Sequence, residues 1–305
     1  MSLATVFQSI RLADLPQDRL SRALAEAIRR ITHGGPTKLS RAIEHAALTP
    51  ASRRRPLLCL AVATALGEDC PELTDAACAS IELIHCASLV HDDLPCFDDA
   101  PMRRGVESVH RAFGEGIAVL AGDALILGAF ENLARAAPAD PTRAASLMGI
   151  LARAAGAPTG LVAGQAWESE PAVDLERYHH AKTASLFEAS TMAGAVACGH
   201  APEPWRALGT HIGHAYQVAD DIGDAAGDPC KLGKPVGRDA SLDRPSAVRK
   251  LGMRDALAAF ARHRQAALEG IPLCEGRDAL RELVQGAFDD LSTAWRSHEA
   301  AAEPR

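Results

Sequence analysis

Apolar residues recur every three or four positions through most of the chain, and no segment sustains the every-second-position alternation of a half-buried strand. Leu20, Leu24, Ala27, Ile28 and Ile31 predict an amphipathic helix over 20–31, stopped by His33-Gly34-Gly35-Pro36. Further helices are expected over 37–48, 56–66, 115–136, 141–155, 159–168, 174–198, 204–224, 254–268 and 277–298. The run over 74–93 is apolar almost all round, which reads as a buried helix. Gly67 and Pro71 are taken as breakers before it, and residues 98–105 as a polar loop after it. A glycine- and proline-punctuated loop is expected over 228–245. Long helices with neither strands nor a linker predict an all-α fold: one large single-domain helical bundle over 1–305, with its site in a central cavity between facing helices.

Composition supports this and narrows the function. Hydrophobic residues make up 48% of the 305 and aromatics only 4%, so alanine and leucine fill the apolar positions and favour helix. A net charge of −7 leaves no general basic patch and argues against nucleic acid as a partner. The eight cysteines form no C-x-x-C pair and sit mostly in apolar runs, the pattern of reduced, buried thiols in a cytoplasmic protein. Charges interrupt the first twenty residues, so no signal-peptide core is expected there, and no uncharged apolar run appears long enough for a membrane span.

Chemistry concentrates in two aspartate clusters that each end an apolar helical run. The first is His91-Asp92-Asp93-Leu94-Pro95-Cys96-Phe97-Asp98-Asp99 with Arg103-Arg104-Gly105 behind it. The second is Gln217-Val218-Ala219-Asp220-Asp221-Ile222-Gly223-Asp224, followed by Lys231, Lys234 and Arg238. Asp220 and Asp224 stand one helical turn apart on one face, with Gln217 a turn earlier. Helix C-termini disfavour carboxylates, and a like-charge pair about 4 Å apart costs roughly 4 kcal/mol at an effective dielectric near 20. Divalent cations bridging to a bound diphosphate convert that repulsion into a site, with nearby arginine and lysine neutralising the remaining charge.

These residues make the chain resemble the trans-prenyltransferases, the isoprenyl diphosphate synthases of the polyprenyl synthetase family, and most of all the bacterial geranylgeranyl diphosphate synthases of the carotenoid and bacteriochlorophyll branch. DDLPCFDDAPMRRG matches the family's first aspartate-rich motif in its longer-spaced form, and YQVADDIGD matches the second. GKPVGRD from Gly233, GQAWE from Gly164, and Lys182-Thr183 match further landmarks, so the likeness spans roughly 39–248. It implies a homodimer that condenses isopentenyl diphosphate with an allylic diphosphate (dimethylallyl, geranyl or farnesyl) to geranylgeranyl diphosphate, using three magnesium ions per site that manganese can replace.

Carried over residue by residue, the resemblance makes Asp92, Asp98 and Asp220 the principal magnesium ligands, with Asp93, Asp221 and Asp224 completing or supporting the shell. Arg103, Lys182, Thr183, Gln217, Lys234 and Arg244 would hold the allylic diphosphate. Ser52, Arg55, His85 and Arg104 fall at the isopentenyl diphosphate site. Ser52 stands where the family usually has a lysine, leaving Arg53 or Arg54 to supply the missing charge, and Arg244 stands where a second lysine is usual. The growing chain should run beside the helix ending at Asp92. The small Ala87 and Ser88 replace the large aromatic floor of farnesyl synthases, with Ile84 a turn deeper. A turn rises about 5.4 Å, close to one extended isoprene unit, so a twenty-carbon product is expected. The competing readings are a farnesyl diphosphate synthase, a terpene synthase, and a non-catalytic subunit of a heteromeric synthase. Arg55, His85 and Arg104 argue against a terpene synthase, which has no second diphosphate to hold, and the intact aspartates argue against the last.

Overall fold

The computed structural model describes residues 17–226 and 246–302. Contacts divide them into two compact units, one of residues 17–152 and 189–202, the other of 153–188, 203–226 and 246–302. Helices dominate both. Among the described residues the only strands are β1 (Met102–Arg103) and β2 (Val106–Glu107), which pair antiparallel across a turn in the segment expected to be polar loop.

The first unit opens with α1 (Gln17–Thr32), which buries Leu20, Leu24, Ala27 and Ile28 as its periodicity requires. α2 (Thr37–Leu48) and α3 (Arg54–Ala65) follow, then α4 (Pro71–Asp92), the short α5 (Val109–Phe113), α6 (Glu115–Ala136) and α7 (Pro141–Ala155), of which the part from residue 153 belongs to the second unit. Pro71 begins α4 rather than breaking the chain before it. At the first position of a helix the missing N–H costs nothing and the fixed φ suits the turn.

α4 packs against α1, α3 and α6. Its Leu73, Ile81, Leu83 and Ile84 are fully buried, each contributing about 1.5–3 kcal/mol over exposure. Small residues let α4 and α6 approach closely. Ser80 Oγ donates to the Ala129 carbonyl (2.8 Å), and Asn132 Nδ2 donates to the Ala76 carbonyl (3.0 Å) and to Ser80 Oγ (3.1 Å). A Cβ on Gly122 would lie 2.0 Å from His91 Nε2, so the His91 ring rests against α6 where a glycine leaves room for it.

α4 and α6 are each long and apolar enough to cross a membrane by length and composition, although neither is an uncharged run: Glu82 interrupts α4, and Asp123 and Glu131 interrupt α6. The most apolar window of α4 is 78% buried and that of α6 is 44% buried, the latter leaving Val119, Leu120 and Leu127 exposed.

In the second unit the segment expected as one helix over 174–198 is three pieces. α9 (Leu175–His179) is capped by Asp174, whose Oδ1 accepts from the N–H groups of Glu176 and Arg177. A π-helical turn follows over His180–Ala184, then α10 (Ser185–Ala197), of which the part from residue 189 belongs to the first unit. Before them, α8 (Leu161–Ala166) is a short helix running into a 3₁₀ turn at Trp167–Ser169. α11 (Arg206–Ala226) is the spine of this unit. It packs on the π turn and on α12 (Ala247–Leu251), α13 (Met253–Glu269) and α14 (Arg277–Ala302).

Candidate active site

In the first unit, α4 ends at Asp92 and the chain turns back on that end. The Asp98 N–H donates to the Asp92 carbonyl (2.9 Å), the Asp99 N–H to the Leu94 carbonyl (3.0 Å) and the Ala100 N–H to the Asp93 carbonyl (3.2 Å). The turn thus brings two aspartates six apart in sequence to one helix end. Asp93 is 2% exposed. Arg103 Nε, delivered by β1, donates to Asp93 Oδ1 (2.9 Å) and Oδ2 (3.1 Å), and Arg103 Nη2 stands 3.8 Å from Asp92 Oδ2. Burial raises the Asp93 carboxyl above its usual range, although Arg103 opposes the shift. Asp93 and Arg103 therefore support one another, while Asp92 and Asp98 offer hard carboxylate oxygens of the kind that fits a divalent cation such as magnesium.

A cationic cluster lies along the same helix. Arg55 Nη1 is 3.3 Å from His85 Nε2. Burial, then the charges of Arg55, Arg104, Arg103 and Arg53, hold the imidazole well below its ordinary pKa, so His85 is neutral and accepts from Arg55. Ser52 is exposed. Arg53 is turned inward, donating from Nη1 to Glu82 Oε1 (2.9 Å) and from Nη2 to the Ala47 carbonyl (2.8 Å). Of the chain-length candidates, Ile84 and Ala87 are buried at 2% and 1% exposure, and Ser88 Oγ donates to the His85 carbonyl (2.8 Å).

In the second unit, α11 sets the other aspartates in distinct environments. Asp220 is exposed and Asp224 is buried one turn on. Asp221 is 1% exposed and accepts from Gln217 Nε2 (2.9 Å) and from the Ala247 N–H at the start of α12 (2.6 Å). His179 Nε2 is 3.4 Å from its Oδ2, and burial lowers the His179 pKa to about 3, so the ring is neutral. Gln217 Oε1 in turn accepts from Thr183 Oγ1 (2.6 Å). Lys182 and Thr183 both sit in the π turn, a feature common at functional sites. Lys182 Nζ donates to Glu168, which also accepts from Tyr178 Oη (2.6 Å). The approach of α8 to the π turn depends on Gly164, where a Cβ would lie 2.4 Å from the Lys182 nitrogen.

Lys234 and Arg244 lie outside the described residues, as do Lys231, Arg238 and Cys230. The seven described cysteines are free thiols. Sequence reasoning did not single out Glu82 or Tyr178, and took GQAWE only as a landmark without a partner for Glu168; it read His179-His180 at a helix start as surface residues, whereas His179 is buried at 4% exposure. Glu82 had a signal: it is the only carboxylate in the apolar run 76–90.

The chain is 50% identical over 270 residues to a geranylgeranyl diphosphate synthase of Cereibacter sphaeroides, covering 88% of this chain and 94% of that protein. It is 45% identical over 268 residues to one of Rhodobacter capsulatus, covering 88% and 93%. A solved geranyltransferase of Helicobacter pylori, complexed with magnesium and isoprenyl diphosphate, superposes with a TM-score of 0.70 at 29% identity, covering 93% of this chain and 98% of that one. The polyprenyl synthetase family model matches residues 36–269, a span that carries both aspartate motifs and the cationic residues Arg55, His85 and Arg104, and the chain belongs to that family.

Proposed function

We propose that this chain condenses isopentenyl diphosphate with an allylic diphosphate to give geranylgeranyl diphosphate. The observation that carries the reading is the fold-back at the end of α4, which sets Asp92 and Asp98 together as a hard-oxygen donor pair. The likeness to geranylgeranyl diphosphate synthases along 88% of the chain supports the product.

In this reading Asp92 and Asp98 in one unit, and Asp220 and Asp224 in the other, are magnesium ligands. Asp93 and Asp221 hold their neighbours in place through the hydrogen bonds described above. Magnesium, when bound, supplies positive charge against the negative charge that builds on a departing diphosphate. Three ions per site, replaceable by manganese, is the stoichiometry the family likeness suggests. Arg103, Lys182, Thr183 and Gln217 bind and orient the allylic diphosphate, with Lys234 and Arg244 assigned to it by sequence. Arg55, His85 and Arg104 hold isopentenyl diphosphate beside the exposed Ser52. The allylic carbon–oxygen bond breaks first, the double bond of isopentenyl diphosphate attacks the allylic cation, and the released diphosphate takes the proton lost from the new chain. Preorganised cations stabilise the leaving charge, and apolar walls keep water from the carbocation.

We read the apolar α4 and α6 as helices of a cytoplasmic protein, which the free buried thiols suit. The exposed Leu120 and Leu127, seven residues apart on one face of α6, suit a homodimer, to be checked by light scattering. The decisive experiment is incubation of labelled isopentenyl diphosphate with each allylic primer, with and without chelator. Magnesium-dependent formation of a twenty-carbon diphosphate is expected. A fifteen-carbon end product would replace the reading with farnesyl synthesis, and no incorporation with any primer would reject it.

A further inference from the structure

Glu82 lies in the middle of α4 and is completely buried between Ile81 and Leu83. A buried carboxylate is tolerated only with cations and hydrogen bonds around it. Here Oε1 accepts from Arg53 Nη1 at 2.9 Å, with Arg104 Nη2 at 3.5 Å and Cys86 Sγ at 3.7 Å. Burial, then the negative charge of Glu82, pushes the Cys86 thiol up to about 12, so it stays protonated and donates. Oε2 is buried without a hydrogen-bond partner. One oxygen thus collects two arginines that arrive from opposite directions, one ahead of α3 and one after the β1 strand.

Both arginines have unusual backbones. Arg53, at φ 47°, caps the start of α3, and Arg104, at φ 53°, forms the turn between β1 and β2. The left-handed region is uncommon for residues with a side chain and persists where surrounding contacts enforce it. Asp99 is the only other described non-glycine residue with positive φ. Arg53 leads directly into Arg54-Arg55, and Arg55 meets His85, one turn after Glu82 on the same helix. The carboxylate therefore stands behind the cationic cluster and fixes both loops that build it.

We propose that Glu82 is a positioning residue: its carboxylate anchors Arg53 and Arg104 so that Arg55 and Arg104 present their charges to the diphosphate of isopentenyl diphosphate. Glu82 itself does not touch substrate. Arg53 acts with it as the inner half of the clamp and does not replace the lysine absent at Ser52, because two of its nitrogens are committed to Glu82 and Ala47. The inference rests on the assignment of Arg55, His85 and Arg104 to that substrate.

The test is steady-state kinetics of Glu82→Gln, which keeps the shape and removes the charge. Released arginines that shift by about an ångström should raise KM for isopentenyl diphosphate roughly ten- to a hundredfold. KM for the allylic primer and kcat should stay within about twofold, a split that general destabilisation does not produce. Glu82→Asp, which retains the charge, should restore part of the loss. Arg53→Met, which removes one of the two arginines that Glu82 holds, should raise the same KM by part of the Glu82→Gln effect, and adding it to Glu82→Gln should cost little more, since the Arg53–Glu82 contact is already lost. Should Glu82→Gln fail to fold, Arg53→Met decides alone: a raised KM supports the clamp and an unchanged KM overturns it. Arg104→Ala separates the two levels. If it raises this KM while folded Glu82→Gln does not, the positioning role is wrong. If Arg104→Ala leaves it unchanged, the substrate assignment fails and the inference falls with it.

Discussion

Replacing Asp221 with alanine is expected to cost the protein stability, whereas replacing its neighbour Asp220 is expected to cost activity alone. Asp221 is buried and accepts from the Ala247 N–H and from the Gln217 amide, with the neutral His179 ring 3.4 Å away. Truncation leaves the Ala247 N–H and the Gln217 amide without that acceptor. At about 1–3 kcal/mol for the buried Ala247 donor and about 1 kcal/mol for the half-buried Gln217 amide, the loss is roughly 3 kcal/mol. At about 2 °C per kcal/mol for a protein of this size, the unfolding midpoint falls by roughly 6 °C. Asp220 is exposed on the same helix, where a polar or ionic interaction is worth about 0–1 kcal/mol. Its midpoint should move by no more than about 2 °C while kcat falls by orders of magnitude. Asp221→Asn, which keeps one acceptor oxygen, should lose roughly half as much stability as the alanine variant. Scanning calorimetry paired with prenyl-transfer assays reads both quantities. Equal midpoints for the two alanine variants, or a wild-type midpoint for Asp221→Ala, would refute the division of labour between these adjacent aspartates.

At the other cluster, Asp92→Ala and Asp98→Ala should each lower kcat by orders of magnitude with the helical circular-dichroism signal intact, and full activity in either would sink its role as a ligand. His214 and His263 stack against each other, with His180 and His211 beside them, and burial lowers both pKa values from 6.5 to about 4. The unfolded chain therefore takes up these protons first: stability should be full above pH 6.5 and decline as pH falls towards 4. His263→Gln should flatten that decline, and an identical pH profile in the variant would exclude the cluster as its cause. Ala87→Tyr should shift the main product from twenty to fifteen carbons if the growing chain passes α4 there. If Ala87 serves packing alone, the ring should overpack the helix by about 1–3 kcal/mol and leave product length unchanged, so chromatography with a melting curve decides.

The helices were legible because their signal is local: the three–four spacing in α1 follows from the face it must bury, and the high apolarity of α4 and α6 marks both as helices, although α6, expected to be buried, leaves Leu120 and Leu127 exposed. The errors arise where one residue type serves two purposes. Pro71 reads as a breaker or as a first-turn residue, and only its Cα geometry in α4 distinguishes them. The residues 180–184 carry ordinary helical periodicity, and nothing in their composition marks the wider turn that sets Lys182 and Thr183 side by side. The motifs located the aspartates but not their environments. DD at 92–93 and DD at 220–221 look equivalent as strings, yet in each pair one member is buried against a donor from elsewhere in the chain: Asp93 against Arg103, and Asp221 against the Ala247 N–H. Glu82 shows the limit most clearly. A lone carboxylate within an apolar helix implies a compensating cation, because an unpaired buried charge would unfold the site. Identifying that cation requires knowing that residues 29 before and 22 after it return to the same point. No periodicity encodes those returns, because they depend on where the loops around α3 and between β1 and β2 deliver two left-handed arginines.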